Sequence, residues 1–226
     1  MNKMQDIIKI GNIPTAITDN HNEVLRYWNI KNATLLHIDA HSDLRGGVKY
    51  QGDSIDDYFD EVRIVDFICP AAHFNIISEV YWLNPHDERK RIQYFGNDEP
   101  SIITELRKGT IIWKNCSQLR GGKKLEEGDI DIQGDYILDI DLDAFCCING
   151  YSYTPDVKES EHGYQQRIQQ TIETLAKLKP PKLITVARSI GFLDYTAGGL
   201  VQNFTPLGFI DQVEELTIEG LKELYQ

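Results

Sequence analysis

Asp39, His41 and Asp43 occupy alternate positions of L-L-H-I-D-A-H-S-D-L, where an apolar run gives way to polar sequence. About a hundred residues later, Y-I-L-D-I-D-L-D-A-F repeats the pattern with Asp139, Asp141 and Asp143. On an extended strand, residues two apart point to the same side about 6.5 to 7 Å from each other, so each stretch crowds like charges together. A solvated acidic face on an edge strand would tolerate this. The flanking Ile137, Leu138, Ile140, Leu142 and Phe145 are instead those of a central strand, where carboxylates are costly unless paired or bound to a cation. The mixed oxygen and nitrogen donors of the first stretch suit manganese, iron or zinc. An EF-hand loop starting at Asp139 would need Gly sixth and Glu twelfth, where the chain has Ala144 and Gly150. A phosphatase with an aspartyl nucleophile would use Asp139 and Asp141 but leave D-A-H-S-D unexplained.

The elements that must position these residues follow from periodicity and breakers. Ile7 to Ile10 reads as a short strand ended by Gly11-Asn12 and Pro14, and Asp19 or Asn20 would cap a helix with His21 in its first turn. Ala33 to Ile38 is an apolar run of strand length, followed by a polar loop at its carboxyl end, where open α/β sheets place their sites. A short helix carrying His73 leads into a strand around Val80 to Leu83. Further strands are predicted at 91–95 and 110–113, with a helix near 100–107 between them. Residues 117–135 are Gly-rich and charged and read as a long loop. Beyond the second acidic stretch, residues 159–178 read as a helix stopped by Pro180-Pro181, Leu183 to Ala187 as a strand, and 206–225 as an amphipathic helix. Strands alternating with helices predict an α/β fold with a mostly parallel central sheet and helices on both faces.

The 226 residues, 41% of them hydrophobic, fit a single domain over 1–226 with a substantial core. A formal net charge of −12 disfavours nucleic acid and anionic membranes as partners and favours a cationic substrate or basic peptide. The amino-terminal sequence lacks the apolar core of a signal peptide and no run is long enough to span a bilayer, so a cytoplasmic protein is expected. The four cysteines show no C-x-x-C spacing and read as small packed hydrophobes rather than zinc ligands or disulfide partners.

The pair D-A-H-S-D and L-D-I-D resembles the two signature stretches of the arginase and deacetylase superfamily, whose members bind metal at the carboxyl edge of a parallel sheet. His21 in T-D-N-H-N-E-V-L, 18 residues before Asp39, matches the upstream histidine ligand of arginases. The resemblance implies a three-layer arginase-like fold and two Mn(2+) ions per chain. Asp39 and Asp139 would bridge the metals, His21 and Asp43 would complete one, and His41 and Asp141 the other. Along most of the chain, H-N-E-V-L-R-Y-W, V-Y-W-L-N-P and I-T-V-A-R-S-I-G also resemble the short peptide arginases of ribosomal peptide natural-product biosynthesis. These convert arginine side chains of a precursor peptide to ornithine and release urea.

Further roles follow by expectation. A metal pair would acidify water for attack on the guanidinium carbon, and the leaving amine would need a proton. His73 is the candidate shuttle, against its reading as a helix histidine packed beside Phe74, and Asp143 is taken as a catalytic rather than a matched ligand residue. His37 shares strand parity with Asp39, so it would either support the site or bond to backbone in the core. The glutamate that arginases place on the next strand to hold the guanidinium is replaced by Arg188 and Ser189, so these and Glu161 are the substrate-binding candidates. An oligomer is compatible with the sequence. The competing readings are another metal-dependent amidohydrolase of the superfamily, a small-molecule ureohydrolase or a deacetylase, and a non-catalytic protein whose acidic cluster holds a metal or peptide.

Overall fold

The computed structural model describes residues 7–44, 54–59, 62–64, 67–86, 92–96, 120–125, 130–146, 163–190, 193–194, 199–200, 205 and 208–226. Among the described residues eight strands form one sheet: β1 (Ile8–Ile10), β2 (Ile13–Thr18), β3 (Ala33–Ile38), β4 (Ile77–Leu83), β5 (Ile92–Gly96), β6 (Arg120–Leu125), β7 (Tyr136–Asp141) and β8 (Leu183–Ala187). Their spatial order is β1-β2-β8-β7-β3-β4-β5-β6. The central run from β2 to β4 is parallel, and the antiparallel pairs are confined to the edges. A separate hairpin pairs β9 (Leu193–Asp194) with β10 (Gly199–Leu200). This is the α/β architecture, with a mostly parallel sheet, that the alternation of elements predicts.

Strand alternation sends the sheet's side chains into two cores. Leu36, Ile38, Leu138, Ile140, Ile184 and Val186 pack against α2 (Gly163–Leu175) and α3 (Ile210–Tyr225), whose apolar positions recur at helical spacing. Leu35, Val80, Ile137 and Leu183 face the opposite core, which contains Val24, Leu25 and Trp28 from the 3-10 region and Phe67 to Ala72 at α1 (Ile68–His73). His37, Asp39, Asp139 and Asp141 share parity with this second set and therefore emerge beneath the 3-10 helix His21–Tyr27.

Three local readings need correction. The chain does not leave the sheet at Pro14, because Ile13 re-enters it as β2, with Pro14 opposite Lys9 of the edge strand in the first hairpin. Proline is tolerated at such a strand start. The turn uses Gly11 at φ +58, and an added Cβ there would collide with the Tyr225 carbonyl at the end of α3, so only glycine fits. The segment 117–135 is not all loop: Arg120–Leu125 forms β6 against β5. Its glycines and lysines carry no apolar periodicity, a composition typical of an exposed edge. Finally, Cys69 is disulfide-bonded, contrary to the expectation from spacing, whereas Cys146 is buried and not in a disulfide. The strand predicted at 110–113, the helix at 100–107 and Glu161 lie outside the described residues. Among the described residues no helix is long and apolar enough to cross a membrane.

Candidate metal centre

The register explains why two stretches far apart in sequence meet. β3 and β7 are adjacent and parallel, with His37 opposite Asp139 and Ile38 opposite Ile140, and Asp139 in turn lies opposite Thr185 of β8. His37, Asp139 and Thr185 thus form a row across three strands. Its contacts are direct: His37 Nδ1 lies 2.9 Å from Asp139 Oδ2, and the Thr185 hydroxyl donates to Asp139 Oδ1 at 2.7 Å. Trp28 closes the row by donating its indole N–H to Thr185 Oγ1 at 3.3 Å.

His21 enters from above as the first residue of its 3-10 helix. Asn20 precedes it in extended conformation and donates backbone and side-chain N–H groups to the Glu23 carboxylate at 3.2 and 3.3 Å, which fixes the helix start. The ring is 2% exposed and packs at a tilt against Phe67, at 4.6 Å between centroids. Its Nε2 lies 2.9 Å from Asp139 Oδ2. Its Nδ1 faces three carboxylate oxygens, from Asp141 at 2.9 Å, Asp39 at 3.2 Å and Asp43 at 3.3 Å. Neither His21 Nδ1 nor Asp39 Oδ2 has a hydrogen-bond partner of acceptable geometry, although both are buried. Buried polar atoms that converge without bonding one another suit a cation held between them.

Asp39 follows β3 directly and continues its ladder, donating its N–H to the Leu83 carbonyl at 3.1 Å. The end of β4 secures the following loop, with Trp82 Nε1 donating to the Asp39 carbonyl at 2.9 Å and Asn84 Nδ2 to the Ala40 carbonyl at 3.0 Å. Asp43 is held at φ +45, a left-handed conformation unusual for a non-glycine residue, which brings its carboxylate back toward His21. On the other side, Asp141 accepts from the Ser189 hydroxyl, and Ser189 itself sits at φ +48. His41 is the half-exposed member, with 46% of its side chain accessible, and its Nδ1 lies 2.9 Å from Asp143 Oδ2 and 3.5 Å from Asp39 Oδ1.

The structure therefore brings His21, Asp39, His41, Asp43, Asp139, Asp141 and Asp143 into one cluster, with His37 beneath it. Three groups within it could each hold a metal ion: His21, His37 and Asp139; His21, Asp39 and Asp43; and Asp39, His41 and Asp143. Five carboxylates, Asp39, Asp43, Asp139, Asp141 and Asp143, are between 0% and 7% exposed. Such a concentration of buried negative charge requires compensation, and the imidazole and carboxylate donors fit a first-row divalent cation.

Protonation shows the same crowding. Burial alone would depress His21, but the charges and hydrogen bonds of Asp139 and Asp141 raise its pKa well above the ordinary 6.5. Burial likewise opposes His37 and His41, yet hydrogen bonds to Asp139 and Asp39 raise the first to about 10, and those to Asp143 and Asp39 raise the second to about 12. Burial would raise Asp139, while His21 and His37 bring it down to about 2. Asp43 moves the other way, pushed up to about 6 by burial and by the charge of Asp39. Asp143 is raised by burial and by the charges of Asp141 and Asp39. The raised histidines partly offset the charge of the carboxylates around them.

Other expected residues are placed elsewhere. His73 lies at the carboxyl end of α1 with its ring edge-on to Phe74, at 4.8 Å between centroids. Phe67, against His21, is six residues earlier, about 9 Å along a helix axis. Asn75, just beyond His73, accepts from Asn32 N at the amino end of β3, so the helix end faces away from the strand ends that carry the cluster. His73 is not positioned as a proton shuttle. Arg188 is not turned toward a substrate either: its Nε and Nη2 donate to the Glu214 carboxylate of α3 at 2.5 and 3.0 Å, and its Nη1 donates to Asp19 at 3.0 Å. The Glu214 bonds, together with Asp19, raise its pKa further, so it is a fixed structural cation. Ser189 bonds Asp141 rather than standing free for a substrate. A cleft of about 1060 Å³ lies between Thr18, Glu23, Arg26, Tyr27, Phe59 and Lys182, and its described lining residues include no member of the cluster.

The supporting shell was largely beyond sequence reasoning. His37 is signalled by strand parity with Asp39, whereas Thr185, Trp28 and Asn84 become visible only through the strand register. His86, two residues beyond Asn84, donates Nε2–H to the Asp143 carbonyl at 3.0 Å. No protein-family model, curated protein or solved structure matches the chain.

Proposed function

We propose that the protein is a binuclear metal-dependent hydrolase, with manganese as its metal, that converts arginine side chains of a peptide to ornithine and urea. The observation that carries the metal half of this reading is the placement of Asp39. One of its oxygens faces His21 and the other faces His41, so a single buried carboxylate serves two neighbouring histidine-containing groups. His21, Asp39, Asp43, Asp139 and Asp141 would hold one ion, and His41 with Asp39 the other. A divalent cation pair supplies Lewis acidity and acidifies water toward neutral pH.

The remaining chemistry falls to the chain's own groups. The carboxylates orient water against the guanidinium carbon, the bond from that carbon to the side-chain nitrogen breaks, and the leaving amine takes up a proton. The acidity of the cluster and the net charge of −12 favour a cationic side chain as substrate. The choice of guanidinium rests on the motif resemblance and on this charge. Incubation of the manganese-loaded protein with arginine-containing peptides should lower peptide mass by one cyanamide equivalent per event and release urea. Intact peptide in the presence of fully loaded protein contradicts the substrate assignment.

A second reading has its own observation. Arg188 and Ser189 occupy the strand end where a guanidinium-binding acid is expected, and both are engaged by the protein itself. Another amidohydrolase of the same superfamily fits that arrangement. Acetate release from acetylated amines, or urea release from free arginine or agmatine but not from peptides, would favour it.

A further inference from the structure

We infer that the cleft along β2 docks a flanking segment of the substrate peptide, basic at the end nearest the metal centre and apolar beyond it, beginning about four residues from the reacting arginine. The inference rests on the peptide reading above and says where the rest of that peptide lies.

The cleft exists because the second face of the sheet is only partly covered. Among the described residues, the core on that face draws on β3, β4, β7 and β8 but on none of β1 or β2. Ile13 and Ile17 pack into the opposite core, so Pro14 and Thr18 turn toward the cleft and form its floor with Leu183 of the adjacent β8. The facing wall is the outer side of the 3-10 helix and the chain just beyond it, with Tyr27, Asn29 and Ile30. Phe59 adds to this wall, its ring lying 5.3 Å below the Arg26 guanidinium. Pro14, Tyr27, Ile30 and Phe59 are all partly exposed, so their apolar surfaces meet solvent across about 1060 Å³.

Length and direction suit an extended peptide. β2 runs six residues, about 16 Å, from the far end of the cleft at Lys182 and Asp135 to its near end at Thr18 and Asp19. About five extended residues fill that distance. The near end lies level with the metal centre, because Ala187 of β8 is opposite Thr18 on one side and opposite Asp141 on the other. In the order β2-β8-β7-β3, the gap from β2 to β3 is about 14 Å, which about four extended residues cross. An arginine can therefore stand at the cluster while its neighbours lie in the cleft.

Charge sets the polarity of the segment. At the far end, Lys182 Nζ lies 3.8 Å from Asp135 and the two offset each other. At the near end, Arg188 is shared between Asp19 and Glu214, and Glu23 adds a carboxylate whose hydrogen bonds come from the uncharged Asn20. With Arg26 included, three carboxylates there face two cations, so a negative surplus remains. A negative mouth followed by apolar walls complements a Lys or Arg followed by apolar residues.

The test is a peptide library with one fixed arginine and about eight randomised positions on each side, passed over the immobilised, manganese-loaded protein. On one side of the arginine, retained peptides should be enriched about 10-fold in Lys or Arg near the fourth position and in Phe, Leu or Ile over the next few. Ile30→Arg, which sets a cation into the apolar wall, should return that enrichment to background. Asn29 is fully on the surface of the same wall, so Asn29→Arg should do likewise without touching the core. No retention, no preference beyond the immediate neighbours of the arginine, or a preference unchanged in both variants would overturn the inference. Conversion of arginine to ornithine in such unselective peptides would leave the proposed reaction standing. A preference that both variants remove, in peptides that never lose mass, would remove the reaction and keep the docking surface.

Discussion

His37 and Thr185 grip Asp139 from the two neighbouring strands and leave its Oδ2 aimed at His21. Groups that orient a metal ligand commonly contribute 10- to 100-fold in affinity. Thr185→Val, which keeps the shape and removes the donor, should weaken manganese binding by about 10-fold with little change in secondary structure, as calorimetric titration would show. Unchanged affinity would mean that the strand backbone alone orients Asp139.

Proton balance gives a second prediction at this scale. His37, raised to about 10 from 6.5, adds stability that is complete below 6.5 and lost as pH rises through about 10. Asp139, lowered to about 2 from 3.8, adds stability that is complete above 3.8 and lost as pH falls through about 2. Asp43, raised from 3.8 to about 6, acts the other way and makes stability fall as pH rises from about 4 to 6, so the metal-free protein should be most stable near pH 4 in thermal melts. Metal binding must displace the histidine protons, so it should release protons at pH 7 and weaken as pH falls. Heats of binding that are the same in buffers of different ionisation enthalpy would contradict that displacement.

At the scale of elements, Arg188 joins three parts of the fold: the end of β8, Asp19 beyond β2, and Glu214 on α3. The group is partly exposed, so its stabilisation is screened and modest. Glu214→Gln should lower stability by about 1 kcal/mol in denaturant melts while leaving the KM for an arginine peptide unchanged. A rise in KM with unaltered stability would return Arg188 to the substrate site.

The limits of the sequence are also clearest among the elements. β3 and β8 are legible to the residue because their apolar runs are continuous, as central parallel strands require. β6 is illegible because an edge strand of Arg, Gly and Lys has no apolar face to read. Asp143 appears to alternation as the third member of a strand row, but Asp141 caps a 3-10 turn at that point and the row ends. The Arg188 clasp depends on a helix that packs beside β8 only in three dimensions, so the sequence shows a cation near a site and not its partners.

For the molecule as a whole, the sheet places two acidic stretches side by side at the carboxyl ends of β3 and β7 and lowers the 3-10 helix onto them. The core beneath is continuous, so a cation held there draws on β3, β7 and the 3-10 helix together. Binding to the folded state alone should stabilise it by about 2.7 kcal/mol at a metal concentration 100 times Kd, and a chelator should lower Tm accordingly. The central claim is that two divalent ions share Asp39. Its most direct test is the metal content of wild type and Asp39→Ala after equilibrium dialysis against manganese. Two equivalents in wild type and neither in Asp39→Ala are predicted; a single equivalent in wild type, or an Asp39→Ala protein that keeps both ions, would contradict it.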